Sequence, residues 1–336
     1  MAEASTGVVV IGRNEGERLR VCLLSLSAAQ ARVYVDSGST DGSCSLARSL
    51  GFDVVELTTP PGFTAARARN AGIERLVRQH HGLTYVQMVD GDCEVRDGWL
   101  DVARAELETH PRRAAVFGRR RERRPTENAY HLACDDEWNV PRGEVSSCGG
   151  DVMFRLAALK EVAGYNHELI AGEEPDLCLR LRQRGWLIWS NGREMTAHDV
   201  AIHRFPQWWR RSMRAGFAFA ALVTLHRAGA DPAWRRLLRS AQAWAGVMLT
   251  ALASVVVGIV SQYPSLVALS VALMAALALQ LLRLAVRQKD RVGGFVPGLK
   301  WAFLIMAAKA AQTTGWAQYQ LKRLSGAPTS IIEYKG

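Results

Sequence analysis

Along the first two hundred positions the apolar residues fall into short unbroken runs, each stopped by small or acidic residues. Residues 8–11 form one such run, halted by Gly12-Arg13-Asn14-Glu15-Gly16; Leu19, Cys22, Leu23 and Leu26 then recur at helical spacing. The pattern repeats. Strands are predicted over 32–35, 54–57 and 85–89, with helices carrying Leu46, Ala47 and Leu50 and spanning 65–77 between them. Asp41 or Ser39 is placed to cap the first of those helices. Four alternations of strand and helix in under a hundred residues predict an α/β fold with a mostly parallel sheet covered on both faces. Ligands on such sheets bind at the carboxyl ends of the strands, where the 12–15 loop, Asp36, Asp41 and Asp90 all fall.

Beyond position 100 the same reading predicts a helix over 100–107, a strand over 114–117, a helix over 154–159 and a short strand over 186–189. The run Arg119-Arg120-Arg121-Glu122-Arg123-Arg124 reads first as a solvated loop, and otherwise as an arm reaching for phosphate. Gly149-Gly150 lets backbone approach a ligand closely or marks a bulge. Glu173 and Glu174 precede Pro175 at the start of a helix whose buried stripe is Leu177, Cys178 and Leu181, and Asp176 can pair with Arg180 on its surface. The helix dipole there favours an ionised Glu174, as a general base should be.

From 205 the pattern changes. A helix with Trp209, Met213 and Phe217 on one face and Arg210, Arg211 and Arg214 on its flank has the look of one lying in a membrane interface. No charge occurs over 240–282, about twice the roughly 20 residues one crossing needs, and Gln262-Tyr263-Pro264-Ser265 interrupts the run midway. A hairpin of two transmembrane helices is predicted, with arginine-rich flanks in the cytosol and the turn outside. Residues 295–321 are apolar but carry Lys300 and Lys309 on opposite helical faces, so an interfacial or tilted helix is expected, with the tail around 331–335 cytosolic.

Charge sharpens this picture. Lys and Arg number 42 against 32 Asp and Glu, and eight arginines against one acid crowd 203–239 directly before the uncharged run. That location favours a phospholipid membrane over nucleic acid as the basic region's partner. The six cysteines form no C-x-x-C pair, which argues against a zinc site or a disulfide framework and suits a reducing compartment. Glu3 and a short polar stretch lead straight into the first strand, so no signal peptide is expected and the front of the chain is placed in the cytosol.

The sharpest chemistry lies where the fourth strand stops in Asp90-Gly91-Asp92. Two carboxylates one residue apart repel unless something positive sits between them, and a divalent cation carrying phosphate oxygens resolves this. Taken in order, Ile11-Gly12-Arg13-Asn14-Glu15, Val35-Asp36-Ser37-Gly38-Ser39-Thr40-Asp41-Gly42, Arg67-Ala68-Arg69-Asn70-Ala71-Gly72 and Asp90-Gly91-Asp92 resemble the motifs of family 2 glycosyltransferases of GT-A fold. The resemblance covers roughly the first two hundred residues. It implies a nucleotide diphosphate sugar donor, with Asp36 and the adjoining Ser37 at the base, Gly12, Arg13 and Glu15 lining the same pocket, and Arg67 supporting the diphosphate. Asp90, with Gly91, would face the ribose or sugar, and Asp92 would ligate Mg²⁺ or Mn²⁺. Ser37 stands where many relatives carry Asp. Glu174 occupies the place of the family's catalytic carboxylate, with Glu173 the alternative; His198 would complete the metal site, His203 in reserve. Gly149 and Gly150 are candidates for the acceptor, and the stretch 207–211 resembles the Gln-x-x-Arg-Trp motif of processive synthases, which adds Trp208 and Arg211.

The expected organisation is a GT-A catalytic domain over 1–203, basic interfacial helices over 204–239, a transmembrane hairpin over 240–286 and an interfacial helix with tail over 287–336. The expected function is metal-dependent, inverting transfer of a sugar to a hydroxyl of a lipid-linked glycan at the cytosolic face of the inner membrane, serving an exported polysaccharide. A base tilts the choice toward a hydroxyl acceptor, because polyprenyl phosphate is already ionised. Direct transfer to polyprenyl phosphate, processive synthesis and a non-catalytic nucleotide-binding adaptor remain the rivals.

Overall fold

The computed structural model describes residues 5–59 and 62–326, so the expectations placed on Glu3 and on the 331–335 tail lie outside the described residues. The chain divides into two compact units, one of Met1–Pro125 with Glu137–Val200 and one of Thr126–Asp136 with Ala201–Gly336.

In the first unit, β1 (Ser5–Gly12), β2 (Ala31–Asp36), β3 (Asp53–Glu56) and β4 (Leu83–Asp90) are parallel, with α1 (Glu17–Ser25), α2 (Ser43–Ser49) and α3 (Ala65–Gln79) between them. Val8, Val9 and Val10 have no exposed surface. Both faces of β1 are thus covered, which is why its sequence is an unbroken apolar run rather than an alternation. Thr64 caps α3 by accepting from the Arg67 backbone N–H at 3.1 Å. On the buried side of α3, a Cβ on Gly72 would overlap Val9 and crowd Val35, so only glycine lets this helix lie so close to the sheet.

The rest of the unit adds β5 (Cys93–Val95), α4 (Trp99–Thr109), β6 (Arg113–Glu122), β7 (Gly143–Val145), β8 (Val152–Arg155), α6 (Leu156–Glu161), α7 (Glu173–Gln183) and β9 (Leu187–His198); α5 (Ala129–Glu137) falls mainly in the second unit. The described strands form one nine-stranded sheet in the order β3-β2-β1-β4-β8-β6-β9-β5, with β7 against β9. It is more mixed than the sequence predicts. β8 runs antiparallel to β4 and β6, and β5 and β7 run antiparallel to β9.

Two boundaries differ from expectation for one reason. The arginine run predicted as a loop is strand, because β6 continues through Glu122 in register with a β9 that itself extends to His198. Alternation sends Arg120 and Glu122 to one face and Arg119 and Arg121 to the other. The charges that disguise this strand are satisfied by carboxylates and an imidazole distant in sequence.

The second unit is helical: α5, α8 (Phe205–His226), a 3-10 turn (Arg227–Gly229), α9 (Pro232–Val260), α10 (Pro264–Val292) and α11 (Phe295–Ser325). Asp231 caps α9 by accepting from Ala233 N–H at 2.9 Å, with Pro232 opening the helix. α8 and α11 cross at glycines, since a Cβ on Gly216 would strike the Gln312 backbone and one on Gly315 the Met213 backbone. α9 and α10 form the expected hairpin, turning at Ser261-Gln262-Tyr263. Among the described residues they are the two helices long and apolar enough to cross a membrane. Leu249, Leu252, Ile259, Val260, Val271 and Leu279 stand on their exposed surface.

Candidate active site

The carboxyl ends of the first strands meet as the parallel register dictates. Gly12 pairs with Asp36 and Ile11 with both Val35 and Asp90, so the three loops leave the sheet side by side. Hydrogen bonds then lace them together. Gly91 N–H donates to Ile11 C=O at 2.8 Å, Ser37 N–H to Gly12 C=O at 3.1 Å and Thr40 N–H to Asn14 Oδ1 at 2.7 Å. Asn14 N–H donates to Ser39 Oγ at 2.9 Å and Gly16 N–H to Asp41 Oδ2 at 3.0 Å. The N-cap of α2 is Gly42 rather than Asp41 or Ser39, but Asp41, one residue earlier, accepts from Ser43 N–H at 3.1 Å. Asp36 is buried and held from three sides: Tyr34 Oη donates to it at 2.9 Å, Gly38 N–H at 2.9 Å and Ser39 N–H at 2.7 Å. Its carboxylate is thereby rigid before any ligand arrives. Arg13 lies over the Phe63 ring, 5.6 Å from its centroid, and Glu15 pairs with Arg18.

Asp90 sits between two arginines. Arg69 Nη2 is 2.9 Å from its Oδ1 and Arg120 Nη2 3.0 Å from its Oδ2. Burial pushes the Asp90 carboxyl up, but these two guanidinium groups outweigh it and hold the group below the usual carboxylate range. Arg120 also reaches Asp151 at 2.9 Å, and Asp151 accepts from the Asp90 N–H at 2.9 Å and from Thr196 Oγ1 at 2.8 Å. On the other side Arg69 Nη1 bonds Glu173 at 2.9 Å and lies 3.1 Å from Glu174. The charges therefore run in a line, Glu173 and Glu174 to Arg69 to Asp90 to Arg120 to Asp151. Gly150 is the hinge of this packing: a Cβ there would come within 2.5 Å of the Asp90 carboxylate and 2.6 Å of Arg69. A Cβ on Gly149 would meet open space.

Glu174 stands in the first turn of α7 with its side chain 17% exposed, whereas Glu173 is buried. Sequence reasoning gave the helix dipole the deciding vote and expected an ionised Glu174. Burial wins instead: with the Glu173 charge beside it and only partial relief from Arg69, the Glu174 carboxyl is pushed up to about 7.

Asp92 takes a different partner. The pairing of Cys93 with His198 across β5 and β9 brings Asp92 Oδ2 to 3.1 Å from His198 Nε2. Glu122 lies 3.8 Å from His198 Nδ1, and the Trp138 ring packs edge-on at 4.7 Å between centroids. Burial works against the imidazolium, yet Asp92 and Glu122 overcome it and raise its pKa. Donor atoms of Asp92, Cys93 and His198 all lie within 4.8 Å of one another. The wider cluster holds six carboxylates (Asp90, Asp92, Glu122, Asp151, Glu173 and Glu174) against two guanidinium groups and one imidazole, a surplus of negative charge that suits a divalent ion. Asp92 and His198 fit a Mg²⁺ or Mn²⁺ site, and the soft Cys93 thiol contributes least to one.

With this geometry in place, the comparisons with known proteins are decisive on one point. Residues 7–149 match the family model described as Glycosyl transferase family 2. That stretch, under half of the chain, is similar to a family 2 glycosyl transferase domain. Over 237 residues, 65% of this chain, it is 27% identical to the pre-mycofactocin glycosyltransferase of Mycobacterium tuberculosis, and it spans about half, 47%, of that relative's length. Among solved structures it is similar to a mannosyltransferase from Pyrobaculum calidifontis in complex with GDP-Man and Mn²⁺, with 20% identity, 82% and 86% of the two chains covered and a TM-score of 0.48. It is also similar to glucosyl-3-phosphoglycerate synthase of M. tuberculosis with Mn²⁺, UDP-Glc and phosphoglyceric acid, with 19% identity, 66% and 80% covered and a TM-score of 0.47.

Within the α/β unit the structure gathers Gly12, Asp36, Asp90, Gly91, Asp92, Gly150, Glu173, Glu174 and His198 around the strand ends or the carboxylate cluster. Arg67 stands apart from the role expected of it: its Nη1 donates to the carbonyls of Thr58 at 2.9 Å and Gly62 at 3.5 Å. The arginine of that segment which reaches the carboxylates is Arg69. A signal for it was present, since Arg69, Gly72 and Leu76 are spaced three and four apart on the buried face of α3. Arg120, Asp151 and Glu122 were also missed. Trp208 and Arg211 belong to the helical unit, where Trp208 is buried against Tyr130 and carries the Arg211 guanidinium 5.7 Å from its ring centroid.

Proposed function

We propose that this protein transfers a sugar from a nucleotide diphosphate sugar to a hydroxyl of a lipid-linked glycan at the cytosolic face of a membrane, inverting the anomeric carbon. The observation that carries this reading is Glu174: a partly exposed carboxyl, tied through Arg69 to Asp90 and poised to exchange its proton near neutrality. In a single displacement the acceptor oxygen bonds the anomeric carbon opposite the diphosphate. The sugar–diphosphate bond breaks, its electron pair leaves with the nucleoside diphosphate, and the hydroxyl proton passes to Glu174. Glu173 holds Arg69, and Arg69 in turn fixes both Glu174 and Asp90.

The prelocked Asp36 carboxylate, with the Gly12–Arg13 edge, meets the base of the donor, and Asp90 faces the ribose or sugar. Asp92 and His198 would hold a divalent ion, which would supply positive charge to offset that on the departing diphosphate. The α9–α10 hairpin supports anchoring: each helix has 29 residues, a length of roughly 43 Å at 1.5 Å per residue, enough for a hydrocarbon core of about 30 Å. Arg235, Arg236 and Arg239 near the start of α9 and Arg283, Arg287, Lys289 and Arg291 towards the end of α10 favour cytosolic ends for the hairpin. That position suits building a lipid-linked glycan for an exported polysaccharide.

The test is Glu174→Gln assayed on both acceptor types. Transfer to a sugar hydroxyl should fall by about 10²–10⁴ with donor KM retained, while transfer to polyprenyl phosphate, if any, should be little affected. Equal losses on both acceptors, addition of many sugars to one acceptor, or no turnover with any nucleotide sugar would each contradict the reading.

A further inference from the structure

A second cluster of metal-ligating side chains lies wholly within the helical unit, with no residue shared with the site above. Glu127 precedes α5, His131 is on its first turns, and His203 lies just before α8. Glu127 Oε1 is 3.4 Å from His203 Nδ1, the two imidazole rings are 5.3 Å apart at their centroids, and donor atoms of all three lie within 4.8 Å of one another.

The backbone under each ligand is fixed. Asn128 Oδ1 accepts from His131 N–H at 2.9 Å, and Asn128 Nδ2 donates to the Ile202 carbonyl at 3.2 Å, tying the two segments together beside the cluster. Gln207 Oε1 accepts from His203 N–H at 2.9 Å. His131 is fully buried while Glu127 and His203 are exposed, so the cluster is walled on one side and open to solvent on the other. A surface ion pair between Glu127 and His203 gains little by itself and has no need of a buried imidazole aimed at the same point.

The geometry points to a zinc-class divalent cation held by Glu127, His131 and His203 as a clip between the α5 segment and the start of α8. Two imidazoles and one carboxylate favour Zn²⁺ over Mg²⁺. Three protein ligands leave a fourth position for water. The clip joins residues 72 apart in sequence, a loop long enough for closure to matter.

The experiment is Zn²⁺ titration, with Co²⁺ as the visible-absorbing substitute, into the full chain in detergent after chelator stripping. The background is Asp92→Asn with His198→Ala, which removes the other ligand set. This background should bind one equivalent of Zn²⁺, and adding His203→Ala or Glu127→Gln, both at exposed positions, should weaken it by about 100-fold or more. Zn²⁺ should raise the melting temperature of the background and not of the triple variants. No bound equivalent in the background overturns the proposal. So does an equivalent that survives both further substitutions unchanged.

Discussion

At the scale of single residues the site is a problem of compensated charge. Arg69 is buried and answers to Asp90, Glu173 and Glu174 together. Arg69→Met would leave Glu173 and Glu174 crowded without their cation and Asp90 with Arg120 alone, a loss of about 3–5 kcal/mol by analogy with broken buried pairs. A lowered melting temperature in detergent checks this, and an unchanged one would contradict it. Arg69→Lys should recover only part, because a single ammonium cannot span the three positions that the planar fork reaches. Glu174 sets the pH dependence. It is faced by Arg69 from α3, Glu173 from its own helix and Asp90 from β4, with Tyr165 and Cys148 nearby. Its raised pKa means the base is protonated and idle in acid, so kcat should climb as pH rises through about 7. That limb should be absent in Glu174→Gln. A profile that is flat from acid to neutral in the parent enzyme would remove Glu174 from the role.

At the scale of elements, what was legible depended on how the sheet hides its strands. β1, β2 and β4 are largely buried, so their sequences read as mostly apolar runs and the motifs at their ends were found. β6 past Phe117 and β9 past Trp189 were not, because their side chains face charges. Arg120 meets Asp90 and Asp151, thirty residues away on either side, and Glu122 meets His198. No window of local sequence holds those partners. Arg69 was not singled out in the sequence, although helical phase put it on the buried stripe of α3. The same phase makes Gly72 a test of the α3–sheet contact. Gly72→Ala should cost about 1–3 kcal/mol by overpacking against Val9, despite alanine's better helix propensity. A stabilised variant would show that α3 does not lie as described.

At the scale of the whole molecule, the sequence reads as an α/β part followed by a helical part, and the hairpin appears where the uncharged run predicted it. The compact units are not contiguous in sequence: the Thr126–Asp136 segment groups with the helical one. Whether that hairpin meets water or lipid is open to a direct test. Leu252 is 62% exposed, so Leu252→Arg on a water-facing helix should be nearly silent, within about 0.5 kcal/mol. In a bilayer the same charge costs about 2.5–3.5 kcal/mol. Fractionation should show the variant depleted from membranes, and full membrane recovery would argue against a crossing at this helix.

The central claim is that acidic and imidazole groups from separate strands hold one cation and, with it, the donor's diphosphate. It is tested most directly by calorimetric titration of UDP and GDP into the parent chain and Asp92→Asn, each with Mn²⁺ and after chelation. The account predicts tight binding of one nucleotide to the parent chain with Mn²⁺, and at least about tenfold weaker binding on chelation or in the variant, the cost of about 1.4 kcal/mol of lost metal-mediated contact. Equal affinity in all four conditions would contradict it.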